Sequence, residues 1–217
     1  MTVARLSSRA PREVGAALPP AESASPTADD IRRAARRLFA STGYDATTMR
    51  AIAGAVGIRA ASLYNHFPSK EEILWDLTLT ALTDLEASWD AVSHALPADA
   101  HALDRLSAFV RNHVAFHAMK GQEAVLVNSQ MDRLSPEHRK AAIVMRDRYQ
   151  RRLSDIIQRG IDDGSFGVPS ARVTTFAILQ IGVGVSTWFK PAGQLKVDDL
   201  CEIYEELARR MVTEVPA

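Results

Sequence analysis

Between Thr47 and Lys70 two apolar stretches with helical spacing stand on either side of a single glycine, and neither is long enough to hold its shape alone. Met49, Ile52, Ala53 and Val56 recur at the period of a helix, Gly57 interrupts them, and a second segment from about Arg59 to Phe67 ends at Pro68-Ser69. Isolated helices under about 12–15 residues are marginal in water, so these two must fold onto each other and onto a neighbour. Gly57 supplies the left-handed conformation that a tight turn between them needs. Ile52, Val56, Ile58, Leu63 and Phe67 are then the shared core, with Ala53 at the point of closest approach. The residues left facing outward on the second segment are Arg59, Ala60, Ser62, Tyr64, Asn65 and His66, all small or able to hydrogen-bond. That is the surface a helix presents to the edges of base pairs in a major groove.

The rest of the chain reads as helix throughout. Thr27 followed by Asp29 and Asp30 caps a helix that carries Ile31, Ala34, Ala35, Leu38 and Phe39 and stops at Gly43. Ser69 and Glu72 form the S-x-x-E pattern of a capping box and open a long helix to about Ala95. Further helices are expected over 103–119, 122–134, 136–164, 170–189 and 197–212, each bounded by Pro, Gly or a cap residue. No stretch alternates with the period of a strand and no segment repeats, so the fold class is all-α: an N-terminal three-helix helix-turn-helix domain and a C-terminal helical domain. Residues 1–26, rich in Ala, Pro, Ser and Arg, are expected to be a flexible arm, 27–74 the DNA-binding domain and 75–217 the effector-binding and dimerisation domain.

Charge agrees in direction with a nucleic-acid partner. The net charge is zero, yet residues 1–75 hold ten Lys/Arg and seven Asp/Glu, and the remainder sixteen and nineteen. The lone Cys201 excludes an internal disulfide and fits a reducing, cytoplasmic setting. No apolar run reaches the roughly 18 residues of a membrane span. Arg5, Arg9 and Arg12 precede no apolar run, so they do not open a secretory signal, and Pro11, Pro19, Pro20 and Pro26 break up the amphipathic helix of a transit peptide. No catalytic constellation stands out: Gly182-Val183-Gly184 lies inside a helix and follows no strand, and Gly184-Val185-Ser186 lacks the second glycine of a nucleophile elbow. His113 and His117 have the i, i+4 spacing of a helical metal pair without the Glu of H-E-x-x-H, and read better as a polar pocket wall or an exposed pair. The expectation is therefore a binding protein, with no enzyme activity, no cofactor and no metal.

Residues 31–74, and above all Ser62-Leu63-Tyr64-Asn65-His66-Phe67-Pro68-Ser69-Lys70, resemble the DNA-binding domain of the tetracycline-repressor (TetR) family. The resemblance implies phosphate contacts from Thr48, Tyr64, His66 and Lys70. It also implies base contacts from Arg50 and from the exposed face carrying Arg59, Ala60, Ala61, Ser62 and Asn65. On this reading the chain is a repressor that binds palindromic double-stranded operator DNA as a homodimer and lets go when a small hydrophobic effector binds. The alternative is an activator, or a regulator governed by a protein partner.

The helix over 170–189 is apolar nearly all round, which requires burial on two sides: its own domain and a second subunit. Gly182, Gly184 and Ser186 are small enough to admit a symmetry mate, and Leu200, Ile203, Tyr204, Leu207 and Met211 form a stripe that completes a four-helix interface. Ser186 to Leu195 is similar to a string in a TetR subgroup that controls fatty-acid or sterol breakdown, which implies an acyl-CoA effector. Its expected pocket is lined by Phe109, Phe116, Met131, Met145, Tyr149, Phe176 and Gln180, with Arg146, Arg148, Arg151 and Arg152 near the phosphates of the coenzyme.

Overall fold

A computed structural model describes residues 27–213; the arm expected over 1–26 lies outside them. Among the described residues there are nine α-helices and no strand: α1 (Ala28–Thr42), α2 (Met49–Ala55), α3 (Ala60–His66), α4 (Lys70–Ala95), α5 (Ala102–Met119), α6 (Gly121–Ser129), α7 (Pro136–Asp162), α8 (Ala171–Trp188) and α9 (Val197–Thr213). The helix expected over 122–134 ends early, and a single 3₁₀ turn, Met131–Arg133, joins α6 to α7. None of these helices is long and apolar enough to cross a membrane.

The starts of the helices follow from their caps. Thr27 and Asp30 form a reciprocal capping box, Thr48 accepts from the Ala51 amide at 3.1 Å, and Ser135 accepts from the His138 amide at 3.2 Å ahead of Pro136. At α4 only half of the expected box forms. Ser69 accepts from the Glu72 amide, but it is Glu71 that is put to work: its Oε1 accepts from the Ser135 amide at 2.8 Å and contacts His138 Nδ1 at 2.9 Å. His138 also stacks flat on Trp75, 4.6 Å between centroids, so the first turns of α4 and α7 are tied together.

Two hydrophobic clusters organise the molecule. The smaller joins Ile31, Ala35 and Phe39 of α1 with Ile52, Leu63, Phe67 and the buried side of early α4. It also takes in Leu126, Leu134 and Ala142, so α6 and α7 share the core of the head. The larger cluster forms round α5, whose Leu106, Phe109, Val110, His113, Val114 and His117 are all buried. Spanning both is α4, 26 residues and about 39 Å long.

Helix α8 buries Ile178, Gly182 and Val185 against the body and leaves Val173 (66 %), Phe176 (47 %) and Trp188 (52 %) exposed. Helix α9 turns Leu200, Cys201, Ala208 and Val212 inward and Ile203, Leu207 and Met211 outward. The single stripe expected on this helix is thus split: Leu200 belongs to the subunit core and Ile203, Leu207 and Met211 to an open face. Two of the small residues assigned to a symmetry mate also face inward. A Cβ on Gly182 would lie 2.3 Å from the His113 ring, and one on Gly121 would press on the Ser186 backbone at 3.2 Å. Only Gly184 has open space before it.

Candidate functional site

The nucleic-acid face is built by holding α3 from behind. Leu63 is fully buried and Phe67 nearly so, which leaves the opposite side of the helix no choice but to face solvent. Gly57 takes φ +74° and lets the chain reverse between α2 and α3. Arg59, Ala61, Tyr64, Asn65 and His66 are exposed and Ala60 and Ser62 half-buried, while Thr48 and Arg50 flank them from the first turn of α2. The Thr48 oxygen serves as the α2 cap, and its hydroxyl proton stays available to a phosphate. Asp45 pairs with Arg133 at 2.6 Å and does not engage Arg50.

Lys70 departs from its expected role. Its ammonium donates to the carbonyls of Tyr44 at 2.7 Å, Thr47 at 2.9 Å and Asp45 at 3.3 Å, and sits 4.3 Å over the Tyr44 ring. Its three protons are directed at these carbonyls, so in the free protein it pins the loop between α1 and α2. The sequence did carry a signal. A cation in the first turn of a helix opposes the helix dipole, and is tolerated where carbonyls hold it.

A second site lies inside the body. Helices α4, α5, α6, α7 and α8 surround a cavity of about 350 Å³. Five of the residues expected to line a pocket are on its wall: Phe116, Met145, Tyr149, Phe176 and Gln180. Phe109 is not. It is fully buried behind the wall, with ring centroids 4.8 Å from Trp89 and 5.1 Å from Tyr149. Nor is Met131, which the early end of α6 carries away to pack against the head. Sequence reasoning missed other apolar walls, Leu82, Leu85 and Val127. Their spacing marks them only as buried, since a residue facing a void and one facing a neighbour carry the same periodicity.

The polar side of the cavity is made by α5 and α7. His113 Nε2 lies 3.1 Å from the Leu179 carbonyl, which can only accept, so the proton sits on Nε2. Its Nδ1 then accepts from the Tyr149 hydroxyl at 3.2 Å. Burial pushes the pKa of His113 down to about 4 and that of His117 to about 3, the latter helped by His113 and Arg146, and it pushes the Tyr149 hydroxyl up. With both His113 nitrogens committed, the pair is no chelate. Of the four arginines assigned to coenzyme phosphates, Arg148 and Arg152 are held by Glu86 and Asp90 of α4. Arg146 reaches the cavity, is bonded to Asn128, and is pushed downward in pKa by burial.

Helices α4, α6 and α7 each touch both sites. Helix α6 lines the cavity with Ala124, Val127 and Asn128, while Leu126 enters the core of the head. Its buried Glu123 receives a hydrogen bond from Arg36 of α1 at 3.0 Å. Helix α4 lines the cavity with Ala81, Leu82, Leu85 and Glu86, and meets α1 through the ion pair of Asp76 with Arg32.

Comparison with known proteins places these features in one group. Residues 31–77 match the family described as bacterial regulatory proteins, tetR family, and residues 99–212 match the tetracyclin repressor-like C-terminal domain. The chain is 28% identical over 190 residues to the transcriptional repressor KstR2 of Mycolicibacterium smegmatis, covering 86% of this chain and 90% of that one. Among solved structures it is similar to a tetR-family regulatory protein from Rhodococcus RHA1, with TM-score 0.80, 30% identity, and coverage of 87% and 97%. It also shares the fold of AibR solved with isovaleryl coenzyme A and operator DNA, with TM-score 0.72, 23% identity, and coverage of 85% and 97%.

Proposed function

Because the chain belongs to the tetracycline-repressor family of bacterial transcriptional regulators, we propose that it is a cytoplasmic, non-enzymatic, one-component repressor that binds a palindromic operator as a homodimer and is released by a small hydrophobic effector. The observation that carries this reading is α6, whose residues wall the cavity on one face and join the head on the other. An effector entering the cavity presses on Ala124 and Val127, and Glu123 and Leu126 pass the displacement to α1. Helix α4, which also lines the cavity and pairs Asp76 with Arg32 of α1, is the other lever.

Two recognition helices must stand about 34–36 Å apart to enter successive major grooves, so a small rotation of each head empties the operator. The exposed apolar rows of α8 and α9 are the surface that a second subunit covers. The domain division at about residue 74 is kept, with Leu126 of α6 and Ala142 of α7 reaching back into the core of the head. Arg50, Arg59, Ala60, Ala61, Ser62 and Asn65 read bases, and Thr48, Tyr64 and His66 hold the backbone.

A coenzyme A thioester is the effector class we infer, on the ground that AibR, which shares the fold, was solved with isovaleryl coenzyme A. A void of about 350 Å³ is at the low end of small-molecule sites, roughly 300–1,000 Å³, and takes an acyl group without the nucleotide. Arg146 and the exposed Arg151 are left to meet phosphates outside it.

The test is a mobility shift on the upstream DNA of the chain's own gene, with and without a panel of acyl-CoAs. At least tenfold loss of operator affinity with one of them is expected. Val183→Trp, which fills the void, should blunt that loss and leave DNA binding intact. Calorimetry in which no acyl-CoA binds the purified protein ends the thioester reading.

A further inference from the structure

His117 is buried on the cavity wall, and neither of its ring nitrogens has a hydrogen-bond partner. Its neighbour one turn back shows what this environment normally demands: His113 spends one nitrogen on the Leu179 carbonyl and the other on Tyr149. Leaving a buried donor or acceptor unmade is costly, and natural interiors rarely do it without a reason. The rings of His113 and His117 meet edge to face at 4.5 Å, which leaves the cavity side as the direction in which His117 can find a partner.

We propose that His117 is the specificity element of the effector site, and that the effector carries a hydroxyl or carbonyl oxygen on its apolar body which hydrogen-bonds to this imidazole. The inference rests on the cavity being the effector site. A neutral imidazole offers one N–H and one lone pair, so a hydroxyl suits either tautomer and a carbonyl suits the protonated nitrogen. The ring turns about its Cβ–Cγ bond to bring a nitrogen to the void, and the oxygen replaces the partner it lacks. A wholly hydrocarbon body in the same place would leave both nitrogens unmade and is discriminated against for that reason. Sites built to hydrogen-bond a ligand oxygen reject the analogue lacking it far more strongly than an apolar wall rejects a methylene.

The probes are naphthalene and 2-naphthol, which differ by one hydroxyl and are small enough for a void of about 350 Å³. Binding to the full-length protein is measured by calorimetry. Wild type should bind 2-naphthol at least tenfold more tightly than naphthalene, about 1.4 kcal/mol. In His117→Phe the two should fall within about twofold of each other, with naphthalene bound as well as before or better. On wild-type protein the ¹⁵N resonances of the His117 ring should shift on adding 2-naphthol and stay unmoved by naphthalene, a readout independent of how the variant folds. Equal affinity of wild type for both probes, with no shift at His117, overturns the proposal and leaves the cavity as an effector site. If neither probe binds, the cavity reading falls and takes this one with it. A preference for 2-naphthol that survives His117→Phe also overturns it, and moves the recognition to Arg146 or Tyr149.

Discussion

Burying two imidazoles one turn apart obliges both to stay neutral, and this has a signature in stability. The folded pKa values, about 4 for His113 and about 3 for His117, lie below the value near 6.5 of an unfolded chain. Between those limits the unfolded state binds more protons, so stability is complete above about pH 7 and is lost as pH falls from 6.5 toward 4. Each histidine contributes about 1.4 kcal/mol per pH unit in that window. Urea denaturation from pH 7.5 to 4.5 should show the fall, and His117→Phe should make it shallower by about one proton's worth; an unchanged slope would mean that His117 is charged in the folded protein. Lys70 gives a second test at this scale. Because its ammonium holds three carbonyls, Lys70→Ala should cost about 2 kcal/mol of stability and loosen the loop between α1 and α2. A variant of full stability that merely weakened operator binding would return Lys70 to the phosphate backbone. Asn65 differs in kind: exposed on α3, Asn65→Ala should leave stability alone and cost about 1–3 kcal/mol at one operator position.

At the level of elements, the chain's punctuation was a good guide and its interiors were not. Pro68-Ser69, Pro136 and Pro169-Ser170 announced the starts of α4, α7 and α8, and Gly43 and Gly57 the ends of short helices, because caps and turns depend on local chemistry that a sequence displays directly. The stop of α6 at Ser129 was not legible, since no breaker stands there; the helix ends where Leu126 and Leu134 must both reach the core of the head. The cavity was half legible for a related reason. Phe116, Met145 and Phe176 share an apolar pattern with Phe109, and only the placement of five helices decides which of them face a void. The pair of Glu123 with Arg36 lies wholly beyond sequence reading, 87 residues apart along the chain. It also yields a prediction. Glu123→Gln should keep operator affinity near that of wild type while the effector response shrinks, because the displacement of α6 no longer reaches α1. Titration of a fluorescent operator with and without effector checks this; an undiminished response would leave transmission to α4 alone.

For the whole molecule, the open apolar rows are the surface on which the proposed dimer rests. Ile203, Leu207 and Met211 recur every fourth residue on α9, next to Val173, Phe176, Ile181 and Trp188 of α8, an area that a lone soluble subunit rarely leaves bare. Ile203→Glu should convert the dimer to monomers in sedimentation at micromolar concentration, with helicity retained and operator binding lost; a dimer of unchanged affinity would put the interface elsewhere. Phe176 belongs to that row and also to the cavity wall, so the two surfaces share a side chain. In the proposed dimer, a substitution that retunes the chamber reshapes the seam between subunits as well. After gene duplication, a copy drifting toward a new inducer would lose its fit to the parent's subunit by the same change, and two regulatory circuits would become insulated without any selection for insulation.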